Sequence, residues 1–291
     1  MVRALATGLL LMLGACGAQH QEGLTVVATT TMLGDVVENV VADDGDVEVL
    51  LPIGADPHDF RLSARQVALI NEADLVVTNG LGLEGPMDDV LAAASDDGVN
   101  VLTVAPLLEP IPLGARDDPH VWFDPLRMKD AAVLIADELT LLDDSVAWAD
   151  RASVYGKALD VADVEIQRML SSIAAPDRKL VTNHDSLGYF ASRYEFEILG
   201  TVIPGGTSLA NPSSADLADL VNTMEAEGTN VIFAETTEPT ALAETVADEV
   251  GGDVLVVELF AGSLGGPGSG AENLIDMLLT NARRIAEALG S

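Results

Sequence analysis

Short runs rich in valine and leucine alternate with segments of helical period, and this alternation occurs twice along the chain. Apolar runs of that length suit strands buried on both faces, as parallel sheets require when crossover helices cover them. Leu24 to Ala28, Val47 to Leu51, Leu75 to Val77 and Val101 to Val104 form the first set. Between the first two, Met32, Leu33, Val36, Val37, Val40 and Val41 recur at helical spacing. Ser63-x-x-Gln66 fits a capping box that opens a helix running through Ala73. From Pro125 to about Ile173 the strand pattern stops, and helix-forming sequence is broken only near Leu142 to Ser145. The second piece, Ser145 to Ile173, gives a helix of about 28 residues, roughly 42 Å at 1.5 Å per residue. That is long for one small domain and suits a spine between two lobes. The rhythm restarts with Lys179 to Thr182, Glu197 to Val202, Val231 to Ala234 and Val254 to Leu259. Helices lie between these strands, one opening at Ser213 to Asp216 with the look of a capping box, a Gly- and Ser-rich loop fills Gly262 to Gly270, and a last helix runs from about Ala271 to Leu289. The expected fold class is α/β, with two lobes (24–144 and 174–291), each a mostly parallel sheet flanked by helices, and a linking helix at 145–173.

The amino-terminal residues read differently. Met1 to Arg3 make a short positive start, Ala4 to Leu13 an apolar run, and small residues precede the cysteine in Leu13-Gly14-Ala15-Cys16. A run this short is a signal segment rather than a bilayer-spanning helix. The four residues ending in Cys16 resemble the lipobox of bacterial lipoproteins. That resemblance implies removal of 1–15, lipid attachment at Cys16, a tether over 16–23, and an extracytoplasmic protein anchored to the cell membrane. Cys16 is the only cysteine, so no intrachain disulfide can form. The 47 acidic against 14 basic residues leave a formal charge of −33. Such a surface repels phosphate backbones and anionic headgroups, which argues against nucleic acid and against membrane contact other than through the anchor.

The chain has four histidines, of which His20 falls in the tether. The other three, His58, His120 and His184, each lie at a sharp turn or just beyond an expected strand. Ligands of open α/β sheets collect outside the carboxyl ends of strands. Each of these histidines also has an acidic neighbour within two positions: Asp56 and Asp59, Asp118, and Asp185. A neutral imidazole binds a divalent ion through one ring nitrogen while a carboxylate or carbonyl holds the other. Proline before His58 and His120 restricts the loop backbone. Together they point to a metal site. Three histidines with an open position also suit a catalytic zinc, so a zinc-dependent hydrolase or lyase is the alternative.

On the stretches Gly54 to Phe60, Asp118 to Pro125, Thr182-Asn183-His184-Asp185 with Gly188-Tyr189-Phe190, and Glu258-Leu259-Phe260, the chain resembles the zinc- and manganese-specific solute-binding lipoproteins of bacterial ABC importers, also described as adhesin-like. The resemblance runs from Leu24 to Leu289. It implies two α/β lobes joined by one long rigid helix, with the metal in the cleft between them. It further implies a monomeric binding protein rather than an enzyme, capture of Zn²⁺ or Mn²⁺, and delivery to an ABC permease in the membrane. His58 and His120 would come from the first lobe and His184 from the second. The family's fourth ligand is an aspartate four residues after the glutamate of the Glu-Leu-aromatic stretch, and that position here is Gly262. Glu258 and Glu235 are then the candidates for the fourth place. Nitrogen-rich, four-coordinate sites suit zinc and oxygen-rich ones manganese, so histidine at 184 favours zinc.

Overall fold

The computed structural model describes residues 23–290. The signal segment, Cys16 and His20 lie outside the described residues. The first half runs β1 (Leu24–Ala28), α1 (Thr31–Val41), β2 (Gly45–Val49), α2 (Ala64–Glu72), β3 (Leu75–Thr78), α3 (Asp88–Asp96) and β4 (Val101–Thr103). A small hairpin follows, β5 (Pro112–Leu113) and β6 (Arg116–Asp117), then α4 (Pro125–Leu142) and α5 (Trp148–Leu170). The second half runs β7 (Lys179–Thr182), α6 (Gly188–Tyr194), β8 (Glu197–Thr201), α7 (Ser214–Glu227), β9 (Val231–Glu235), α8 (Ala241–Val250), β10 (Leu255–Leu259) and α9 (Leu274–Leu289). Two parallel four-stranded sheets result, in the orders β2-β1-β3-β4 and β10-β9-β7-β8, each flanked by helices as a lobe.

Local chemistry sets the helix starts. Thr30 caps α1 by accepting from the Leu33 N–H at 3.2 Å, and Ser63 and Ser213 open α2 and α7 with full capping boxes. Asp124 accepts from the Leu126 N–H at 3.0 Å, with Pro125 at the first position of α4. The long helix is shorter than 145–173. Asp143 accepts from the Ser145 N–H and hydroxyl, and the Trp148 indole N–H donates to the Asp143 carbonyl at 2.7 Å. This turn holds the chain off helical geometry until Trp148. The remaining 23 residues of α5 span about 34 Å.

α5 buries Trp148, Ala152, Tyr155, Leu159, Ala162, Ile166 and Leu170 along one face and packs on α1, α4 and α9. One apolar cluster includes Val26 and Val77 of the first sheet, Trp122, Trp148, Leu159, Leu180 and Phe233 of the second sheet, and Ile285 of α9. The halves therefore share a core. Sliding one past the other exposes large side chains at about 1.5–3 kcal/mol each, which favours small displacements.

Both sheets switch direction in the same way. The chain leaves β1 for β2 on one side and returns to β3 on the other, and β7, β8 and β9 repeat the pattern. Crevices form beyond the carboxyl ends of such strands. His184 follows β7, and Glu235 ends the adjacent strand β9.

Candidate metal centre

His58 sits in the loop between β2 and α2. Its backbone N–H donates to Asp56 Oδ1 at 2.9 Å, and the Gly54 N–H donates to Ser263 Oγ at 2.9 Å, tying the loop to the second half. His120 precedes the short turn leading to α4. Asp118 Oδ1 accepts from both the His120 N–H at 2.9 Å and Nδ1 at 2.7 Å. Asp118 is held in turn by the Tyr189 hydroxyl, which donates to its carbonyl at 2.7 Å, while Asn79 Nδ2 donates to the Pro119 carbonyl at 2.9 Å. A Cβ at Gly188 would overlap Asp118 Oδ2, so glycine is what lets α6 approach this close. His184 follows β7, with its carbonyl accepting from Thr182 Oγ1 at 2.8 Å. Its Nδ1 lies 2.7 Å from Glu235 Oε1, off the line of an ideal hydrogen bond, and the same oxygen accepts from Ser186 Oγ at 3.2 Å.

These anchors bring three ring nitrogens to one point. His120 Nε2 lies 3.3 Å from His58 Nε2 and 3.2 Å from His184 Nε2, and the three ligand atoms fall within 4.8 Å of one another. The side chains are 2–5 % exposed. Two nitrogens, each about 2.0–2.1 Å from a tetrahedral zinc, would stand about 3.3–3.4 Å apart.

The proton inventory matters as much as the distance. A carboxylate only accepts, so Asp118 and Glu235 place a proton on Nδ1 of His120 and of His184. In the neutral rings both Nε2 atoms are then bare lone pairs, facing each other at 3.2 Å. That juxtaposition is repulsive unless a cation, a proton or a metal ion, lies between them.

Electrostatics divide the histidines. Burial, reinforced by His120 and His184 and only partly opposed by Asp56, pulls His58 down to about 3. Burial also pulls His184 down, but Glu235, with Asp56 and Asp185 behind it, more than offsets this and holds it above the ordinary histidine value. His58 therefore stays neutral and ready to ligate in mild acid, whereas a metal must displace a proton from His184. Between pH 5 and 6 His184 contributes a tenfold loss of zinc affinity per pH unit and His58 contributes none. Competition titrations across this range are expected to give a slope of log affinity on pH well below three; a slope near three would show all three rings protonating together.

Sequence reasoning placed these histidines in one site, and all three are found together. Glu258 is not among them. It is exposed on the edge strand β10, paired in register with Ala234, and its carbonyl accepts from Arg284 at 2.6 Å. Strand alternation turns Leu259 inward and Glu258 out. Glu235 is buried but is committed to His184 and Ser186. Gly262 lies against the loop of His58, with Pro57 and Thr237 the nearest groups to where its Cβ would be. Two acidic neighbours do other work than expected: Asp56 holds the His58 backbone rather than its ring, and Asp185 accepts from the Gly205 N–H at 3.1 Å. Sequence reasoning gave no role to Ser186, Ser208 or Glu238. Ser208 Oγ donates to Asp56 Oδ2 and Glu238 hydrogen-bonds the same carboxylate, while burial and then this partner push Glu238 up to about 7.

The chain is similar to known proteins over almost its whole length. The family model for the zinc-uptake complex component A, periplasmic, matches residues 26–288. The chain is 28 % identical over 290 residues to the manganese-binding lipoprotein MntA of Halalkalibacterium halodurans, covering 96 % of this chain and 95 % of that one. It is 30 % identical over 277 residues to the zinc-binding protein TroA of Treponema pallidum, covering 91 % and 88 % respectively. The solved structure of that periplasmic zinc-binding protein superposes with a TM-score of 0.87 at 29 % identity, covering 92 % of this chain and all of that one. A manganese-bound periplasmic metal-binding protein from Candidatus Liberibacter asiaticus shares the fold at a TM-score of 0.82 and 24 % identity. On its buried trio of histidines, its paired parallel sheets and a match over almost its whole length, the chain belongs to the family of periplasmic zinc-uptake complex component A proteins.

Proposed function

We propose that this chain is an extracytoplasmic solute-binding protein that captures a divalent transition metal through His58, His120 and His184 and delivers it to an ABC importer. The observation that carries the reading is the convergence of three ring nitrogens, with His120 Nε2 standing from each of the other two at the spacing a tetrahedral ion would impose. The metal is cargo, bound between lobes 24–144 and 174–291, with α5 (Trp148–Leu170) as the connector. Zinc is the favoured ion over manganese, because three imidazoles make a nitrogen-rich site while manganese prefers oxygen. The relatives are named for both metals, so the preference rests on ligand chemistry. Lipid attachment at Cys16 holds the protein at the membrane in this reading. Among the described residues no helix is long and apolar enough to cross one.

Burial favours carriage over catalysis. Histidines only 2–5 % exposed offer little of their rings to an organic substrate, and the buried Ser186 hydroxyl is engaged by Glu235. Elemental analysis of protein purified without added metal, followed by zinc and manganese competition, tests the proposal. One zinc per chain, retained against a tenfold excess of manganese, is expected. Preferential retention of manganese would reverse the assignment, and hydrolysis of simple esters by the zinc-loaded chain would move it to the hydrolases.

A further inference from the structure

Three neutral imidazoles leave both charges of a divalent ion uncompensated, and a buried charge is costly without a counter-charge beside it. The aspartate expected at position 262 is absent, and the backbone there does not require glycine, since Gly262 is not among the positive-φ residues. A Cβ at 262 would stand 3.0 Å from Pro57 Cδ and 3.2 Å from Thr237 Oγ1, the chain neighbours of Asp56 and Glu238. The space an aspartate would fill is thus bordered by the loops that carry those two acids.

The acids around the site are not equally free. Asp118 is bound to His120 through ring and backbone, and Glu235 is bound to His184 and Ser186. Asp56 engages one oxygen with the His58 N–H and the other with Ser208 Oγ. Glu238, half-buried in the turn after β9, hydrogen-bonds Asp56 and lies within electrostatic range of His184 and Glu235. Asp56 and Glu238 are each other's partners, and Asp56 is further engaged by the His58 N–H and Ser208. The flexible stem of Glu238 lets it turn without disturbing a histidine.

We propose that Glu238 supplies the carboxylate of this metal site, turning from Asp56 onto an ion held by His58, His120 and His184, in the place where Gly262 offers no side chain. The proposal rests on the metal-capture reading above, and its test separates the two. Zinc sulfate affinity and the cobalt(II) absorption spectrum are measured on the full chain, on Glu238→Gln, which keeps the shape and the hydrogen bond to Asp56, and on Glu238→Ala. Each variant is expected to lose zinc affinity tenfold or more and to shift the cobalt d–d bands, because water replaces a carboxylate. Affinity within twofold of wild type overturns the proposal. So does an unchanged cobalt spectrum, even with weakened binding, since a residue that merely braced the loop would leave the ligand set intact. Full zinc affinity in His120→Ala would instead remove the underlying site.

Discussion

His120→Ala is expected to lower zinc affinity at least a hundredfold, about 2.7 kcal/mol, with the helical circular dichroism signal unchanged. His120 stands in the middle of the trio, its Nε2 within 3.3 Å of both others. Removing a group that merely orients a ligating histidine costs about 10–100-fold in metal affinity, so removing the ligand itself costs more. The backbone is spared, because Asp118 still accepts from the residue 120 N–H and Asn79 still holds the Pro119 carbonyl. A chromophoric chelator competing for zinc reads the effect. Wild-type affinity in the variant would take His120 out of the coordination sphere.

Trp122→Ala carries the second large effect, on stability. The indole is 1 % exposed, packs edge-on to His120 with ring centroids 5.2 Å apart, and donates to the Ala261 carbonyl at 3.0 Å. That bond joins the turn after His120 to the loop containing Gly262, so the same side chain supports the core and the site. Truncating a buried tryptophan costs about 3–5 kcal/mol. Because one apolar cluster runs through both halves, the chain is expected to unfold in a single denaturant transition with the midpoint lowered and the slope retained. Two separated transitions, in wild type or variant, would mean that the halves do not share a core.

The fold was legible where burial leaves a pattern. Val26, Val27 and Ala28, or Val231 to Glu235, are buried on both faces, and such runs stand out without knowledge of their partners. The capping boxes at Ser63 and Ser213 formed as read, because they join residues three apart. The hairpin at 112–117 was not foreseen, since its two-residue strands are too short to show a period. The expected helix start at Ser145 was too early because the Trp148 indole closes a turn onto Asp143, a tertiary use of a side chain that also fits a helix.

At the site, scarcity and position exposed the histidines, since His58, His120 and His184 each leave a strand or enter a turn. Their supports were only partly visible. Asp118 lies two residues from His120 and could be read locally, whereas Glu235 meets His184 from 51 positions away and Asp56 meets Ser208 from 152. Glu258 drew attention through its motif, yet a one-residue step along β10 decides which side chain faces inward. The pairing of Glu238 with Asp56 has no local signal at all and emerges only when both loops are in place.

Zinc K-edge X-ray absorption on the singly loaded protein tests the central claim most directly, because imidazole rings give a distinctive outer scattering pattern that can be counted. Three imidazoles with first-sphere distances of about 2.0–2.1 Å are expected. An ion surrounded by oxygen alone, or by a single imidazole, would place the metal on the acidic surface and contradict the shared site of His58, His120 and His184.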